Sequence, residues 1–223
     1  MKVSIKVPDN LSEITLEQYQ KYVKIYEQNK DIENAETFLE LKMIETFCYI
    51  PYADAVNIKY KDVKKIVTHI GSLLSQKPDL VRGFNLLDKK FGFVTNLDEL
   101  SYDEYTTIDT NIVSVDTWHI AMGVLYRPIQ TGNYKTKYIT EDYQIGRYWE
   151  VMKHMPLEAA LSSVVFFYRL GKELSKATLS YLNNLEMSTS FQQDLNLVKN
   201  GIGITHFTDS VEEILQSLDQ LEN

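Results

Sequence analysis

The stretch from Leu157 to Leu170 constrains this chain most, because Leu157, Leu161, Val164, Val165, Phe166, Phe167 and Leu170 leave almost no polar side on a helix. A helix that is apolar nearly all round persists in water only when other elements surround it. The chain must therefore supply a shell, and this helix is expected at its centre. Pro156 fits the first turn, where the N–H that proline lacks would go unsatisfied in any case.

Amphipathic segments upstream can build that shell. Leu16, Tyr19, Tyr22, Val23 and Tyr26 recur at helical spacing, and Thr15 followed by Gln18 forms a capping-box pattern that starts a helix. A second helix is expected over Ala35 to Phe47, with Phe38, Leu39, Met43, Ile44 and Phe47 inward and Pro51 closing it. A third places Val63, Ile66, Val67, Ile70, Leu73 and Leu74 inward and Lys61, Lys64 and Lys65 in water, ending near Lys77-Pro78.

The pattern changes at Val81. Phe84 to Leu87 and Phe91 to Val94 flank Asp88-Lys89-Lys90, which reads as a β-hairpin. Ser101 with Glu104 marks another helix start. Val115 to Tyr126, carrying Trp118, Ala121, Met122 and Leu125, is expected as a helix ended by Pro128. Tyr134 to Thr140 reads as a strand, Asp142 to Lys153 as a helix, and Met1 to Pro8 as a short N-terminal strand. Further helices are expected at Lys172 to Leu185 and Asp209 to Leu221, separated by the irregular Met187 to Phe207. The expected fold is thus mainly α, a helical domain with a small β-hairpin or sheet insertion over residues 81–140. Residues 1–186 form the main domain, with the hairpin near 84–94, and 187–223 a less regular segment plus a C-terminal helix suited to partner binding.

Charge narrows the function. A net charge of -8 and a pI near 5.1 oppose a general phosphate-binding surface, since nucleic-acid affinity comes from Lys and Arg displacing counterions. From Thr95 to Tyr126 there is no Lys or Arg, while Asp98, Glu99, Asp103, Glu104, Asp109 and Asp116 all fall there. The tail after Lys199 has the same bias, with Asp209, Glu212, Glu213, Asp219 and Glu222. No apolar run is long enough to span a membrane, the N-terminus lacks a signal-peptide core, and the lone Cys48 rules out an internal disulfide. The chain is expected to be made in a cytoplasm. Its 15 tyrosines suit either a core border or contact surfaces, where an apolar ring with a polar tip is favoured.

Catalytic motifs are missing from the sequence. His69, His119, His154 and His206 lie far apart, with no metal-ligand spacing. Gly201-Ile202-Gly203 does not extend into a phosphate-binding loop, and no nucleophile elbow is present. Asp98, Glu99, Asp103 and Glu104 come nearest to a hard-cation site, although a solvated acidic helix start accounts for them more simply. Trp118-His119 reads as a core aromatic beside a polar neighbour. No enzyme activity, cofactor or metal is expected.

Four stretches resemble a family of uncharacterised proteins of tailed bacteriophages, especially the crAss-like phages of gut Bacteroidetes and their relatives. They are Val7-Pro8 through Leu16-Glu17-Gln18-Tyr19; Phe91-Gly92-Phe93-Val94-Thr95-Asn96-Leu97-Asp98-Glu99-Leu100; Ala121 through Tyr126-Arg127-Pro128-Ile129; and Met155-Pro156-Leu157 with Phe166 through Leu174. The resemblance implies a virion component of the tail, neck or packaged-protein part of the particle, in a multi-copy assembly with other phage structural proteins, or else a tail-assembly chaperone that leaves before maturation. It carries over no catalytic residues. Tyr126, Arg127, Asp98, Glu99 and Arg169 are the candidate interface residues; Arg127 and Arg169 each follow an aromatic residue and sit where they can bond a helix-terminal carbonyl or a neighbouring carboxylate.

Overall fold

The computed structural model describes residues 5–184. Its helices are α1 (Leu16–Asn29), α2 (Glu36–Cys48), α3 (Tyr52–Ala55), α4 (Tyr60–Leu74), α5 (Tyr102–Ile112), α6 (Trp118–Leu125), α7 (Trp149–Met152) and α8 (Leu157–Asn184). Four antiparallel strands, β1 (Gly83–Leu86), β2 (Lys89–Phe93), β3 (Tyr126–Gly132) and β4 (Tyr138–Thr140), lie side by side in chain order. The fold is mainly α with a small β insertion.

The first part of the apolar helix is buried, as its composition requires, whereas Phe166, Phe167 and Leu170 farther along it are only half-buried. Leu157, Ala159, Ala160, Leu161, Val164 and Val165 of α8 are buried, and its start is stitched to the chain's beginning: Leu157 N–H donates to Ile14 O (2.8 Å) and Leu16 N–H to Met155 O (3.0 Å). Ser162 and Ser163, both fully buried, are paired. Val81 N–H donates to Ser162 Oγ (3.0 Å), and Ser163 Oγ donates to the Tyr126 hydroxyl (3.0 Å), which itself donates to Val81 O (2.7 Å). This network ties α8 to β3 and to the segment entering β1, so the polar atoms of a buried helix find partners across elements.

Both capping boxes form. Thr15 accepts from Gln18 N–H while Gln18 Oε1 accepts from Thr15 N–H; Ser101 and Glu104 repeat the arrangement at α5. Trp118 is fully buried, stacks on Tyr19 with centroids 5.8 Å apart, and donates Nε1–H to Ile112 O. Cys48 is buried as well.

Several boundaries differ from the sequence expectation. The hairpin turn is Leu87-Asp88, both with positive φ (46° and 59°), and Lys89 and Lys90 belong to β2. A two-residue turn of this hand matches strand twist, which outweighs the cost of left-handed φ at two residues other than glycine. α6 ends at Leu125, and Pro128 sits inside β3 opposite Phe91 instead of capping a helix. It still accepts from Glu141 N–H at the end of the β3–β4 ladder, so the missing donor removes one bond at most. Between Asp142 and Lys153 only α7 is helical, since Gly146 at φ +74° interrupts the run. α8 continues through Gly171 as one helix; a helical glycine costs about 1 kcal/mol, too little to split so long an element. Ile5 to Pro8 form no strand, whereas Met1 to Ser4, the irregular 187–207 stretch, His206 and the helix expected at Asp209 to Leu221 lie outside the described residues.

Candidate interaction surfaces

Of the residues singled out in the sequence, Tyr126 and Arg127 lie inside the molecule. Tyr126 is fully buried between Phe84 and Phe93, and burial pushes its phenol above the ordinary range. Arg127 is enclosed between α5 and α6. Its Nε donates to Val124 O at the end of α6 (3.0 Å), its Nη2 pairs with Glu104, and its guanidinium lies over the Tyr143 ring. Burial opposes the charge on Glu104, but bonds from the Ser101 N–H and hydroxyl side and the Arg127 cation outweigh it, so the carboxyl stays below its usual range. Glu104 is therefore an internal ion-pair partner and does not belong to an acidic surface cluster.

Arg169 is on the outside. It sits mid-way along α8, not at a helix end, and bonds Asp79 (2.8 Å). Asp98 and Glu99 are exposed in the turn before α5, and Asp103 is exposed at its start. Beside them project Tyr102 (84% exposed) and Tyr105 (55%). Asp98, Glu99, Tyr102, Asp103 and Tyr105 are thus all exposed within the short stretch that Glu104 anchors to Arg127. The sequence marked its acids. Tyr102 and Tyr105 went unmarked although each is separated from Glu104 by no more than two positions, which on a helix turns them away from that buried carboxylate.

A groove on another side of the molecule was not anticipated. Glu17, Gln20, Lys21 and Lys24 share one side of α1 and floor a groove of about 680 Å³. Glu45, Thr46 and Tyr49 at the end of α2 form one wall; Asp116, His119, Lys153 and His154 form the other. Gln20 Nε2 meets Val115 O (2.6 Å), Asp116 O (3.1 Å) and His119 Nδ1 (3.1 Å), and His119 Nε2 lies 4.0 Å from Glu150. Burial, with the nearby Lys153 cation, lowers the His119 pKa and favours the neutral ring. The signal was the polar spacing of α1 opposite its apolar stripe, which by itself cannot be told from an ordinary wet helix face.

Among the described residues, no group of three or more His, Cys, Asp or Glu could hold a metal ion. No helix there is long and apolar enough to cross a membrane. Burial pushes the Cys48 thiol up to about 11, which leaves it protonated and inert at neutral pH. Comparison with protein-family models, with characterised proteins and with solved structures finds no match for this chain.

Proposed function

We propose that this protein is a structural component of a tailed-phage particle, acting in a multi-copy assembly through protein–protein contacts. The observation that carries the contact reading is the exposed face around α5, where Tyr102 and Tyr105 stand among Asp98, Glu99 and Asp103. Large exposed aromatic rings are favoured at interfaces because they bury much area at low entropic cost, and a fixed acidic surround steers a basic partner surface toward them. The phage setting rests on the resemblance carried by the four stretches above.

Mass spectrometry of purified particles tests the setting: multiple stoichiometric copies are expected. Presence in infected cells with absence from particles would assign the chain to assembly chaperoning instead. Light scattering coupled to size-exclusion chromatography tests the contact face, with Tyr102→Lys/Tyr105→Lys as the variant. Both side chains are exposed, so folding is expected to persist while association is lost.

A further inference from the structure

Two helices of opposite charge end one row of packed elements. Lys59, Lys61, Lys64 and Lys65 crowd seven residues at the start of α4, with Asp62 as the one acid among them, whereas Thr95 to Tyr126, which holds α5, has six acids and no Lys or Arg. Packing sets the row. α4 lies on α2 and α2 on α1; α1 meets the start of α6 through the Tyr19–Trp118 stack and the Gln20 bonds to the Val115 and Asp116 carbonyls; α5 closes the row on α6. The outward stripe of α4 is Lys61, Lys65, Thr68 and Ser72, all exposed and opposite the buried Val63, Ile70, Leu73 and Leu74. Lys64 is held on the α2 side by Glu36 and Glu40, but Lys61 and Lys65 form no ion pair among the described residues. Lys65, Thr68 and Ser72 line a hollow of about 430 Å³ whose lining contains no acid. Cations near a helix N-terminus oppose the helix dipole, and Lys59 at the N-cap gives no side-chain cap, so carboxylates from outside would relieve this end. The outward stripe of α5 is Tyr102, Tyr105, Thr106 and Asp109, at helical spacing and opposite the buried Glu104, Ile108 and Ile112. Asp103 flanks it, and neither Asp103 nor Asp109 has an ion-pair partner among the described residues.

We propose that the outward face of α4 docks on the α5 face of a second copy of this chain, so that copies join head to tail. Lys61 and Lys65 meet Asp103 and Asp109, and the exposed Tyr102 ring enters the hollow beside Thr68 and Ser72. At the helical rise the lysines are about 6 Å apart and the aspartates about 9 Å apart along their helices, a difference that the flexible lysine stem spans. Two α5 faces repel each other, and so do two α4 faces, so the charges select the unlike pairing. A contact between different surfaces leaves one free face on each copy and extends into a ring or filament. Resting on the multi-copy reading above, this pairing names the partner of the α5 face. A net charge of -8 on each copy opposes association elsewhere on the surface.

The test is light scattering of the full chain over a concentration and salt series. The parent mass is expected to rise with concentration and fall with added salt. Lys61→Glu/Lys65→Glu and Asp103→Lys/Asp109→Lys are each expected to weaken association about tenfold or more, since attractive pairs become repulsive. Mixing the two variants is expected to restore it, because in an alternating row every α4–α5 contact is again between opposite charges while neither variant pairs with itself. A variant that had merely lost its fold could not be restored in this way. A parent that stays monomeric at its highest soluble concentration, Lys61→Glu/Lys65→Glu associating like the parent, or a mixture no larger than its components overturns the pairing. Should Tyr102→Lys/Tyr105→Lys abolish association while the α4 variant keeps it, α4 alone is removed and the α5 face stands as a contact. Stoichiometric copies in particles, from a chain that is monomeric by itself, would keep the structural role and give the α5 face to another protein.

Discussion

Arg127 and Arg169 have the same local sequence, an arginine directly after an aromatic residue, and the structure puts them in opposite situations. The Arg127–Glu104 pair is enclosed, with side chains 13% and 9% exposed, whereas Arg169 and Asp79 are 53% and 96% exposed. Around Arg127 every charge is spoken for: α6's last turn supplies a carbonyl, Ser101 bonds the same carboxylate, and Tyr143 covers the guanidinium. Around Arg169 water does most of that work. Burial, and not residue type or neighbour, sets how much an ion pair matters, because removing one partner from an enclosed pair strands the other charge away from water, while an exposed pair only exchanges one well-solvated state for another.

The largest expected effect breaks the enclosed pair. Arg127→Ala should cost about 3–5 kcal/mol in chemical denaturation, with the variant less folded even as a monomer. A loss under about 1 kcal/mol would mean that Glu104 can rehydrate and that the two regions are alike. Next comes acid. The Glu104 carboxyl is held below its unfolded value, so it contributes stability that is present at neutral pH and is lost as pH falls through its lowered pKa. Glu104→Gln keeps a side-chain acceptor for the Ser101 N–H but should flatten the drop in thermal midpoint between neutral pH and mild acid. An unchanged acid profile would assign that drop to other carboxylates.

A smaller effect sharpens the comparison through the strand that carries Arg127. Gly92 is its register partner in the β2–β3 pairing, and an added methyl there would stand 2.6 Å from the Tyr138 ring. Tyr138 is also pinned, since its hydroxyl donates to Phe93 O (2.6 Å). Gly92→Ala should therefore cost about 1–3 kcal/mol by overpacking, read as a lower denaturant midpoint. The smallest effect is at the exposed pair: Arg169→Ala should change stability by about 1 kcal/mol or less. A larger loss would show that Asp79 and α8 are coupled more tightly than their exposure implies.

Local chemistry made much of this legible. The capping boxes at Thr15 and Ser101 name their own partners three residues away, and the apolar spacing of α1, α2 and α4 needs no knowledge of the rest of the chain. The candidate surfaces were harder. Asp98, Glu99 and Asp103 stood out by charge, but Glu104 in the same run turns inward to a residue 23 positions along the chain. The groove along α1 gave no signal, because whether a polar helix face is walled in depends on what packs beside it.

What the sequence determined alone is the set of elements with a period or a cap, the mainly helical class and the burial of the start of α8, since these follow from interactions spanning no more than a turn or from bulk burial of apolar surface. Only the tertiary structure decided which charges are enclosed, that Pro128 lies in a strand, that Gly171 leaves α8 intact, and that a groove forms between α1, the end of α2 and the start of α6. Those outcomes depend on contacts between distant segments, and a residue's desolvation is fixed by its neighbours in space.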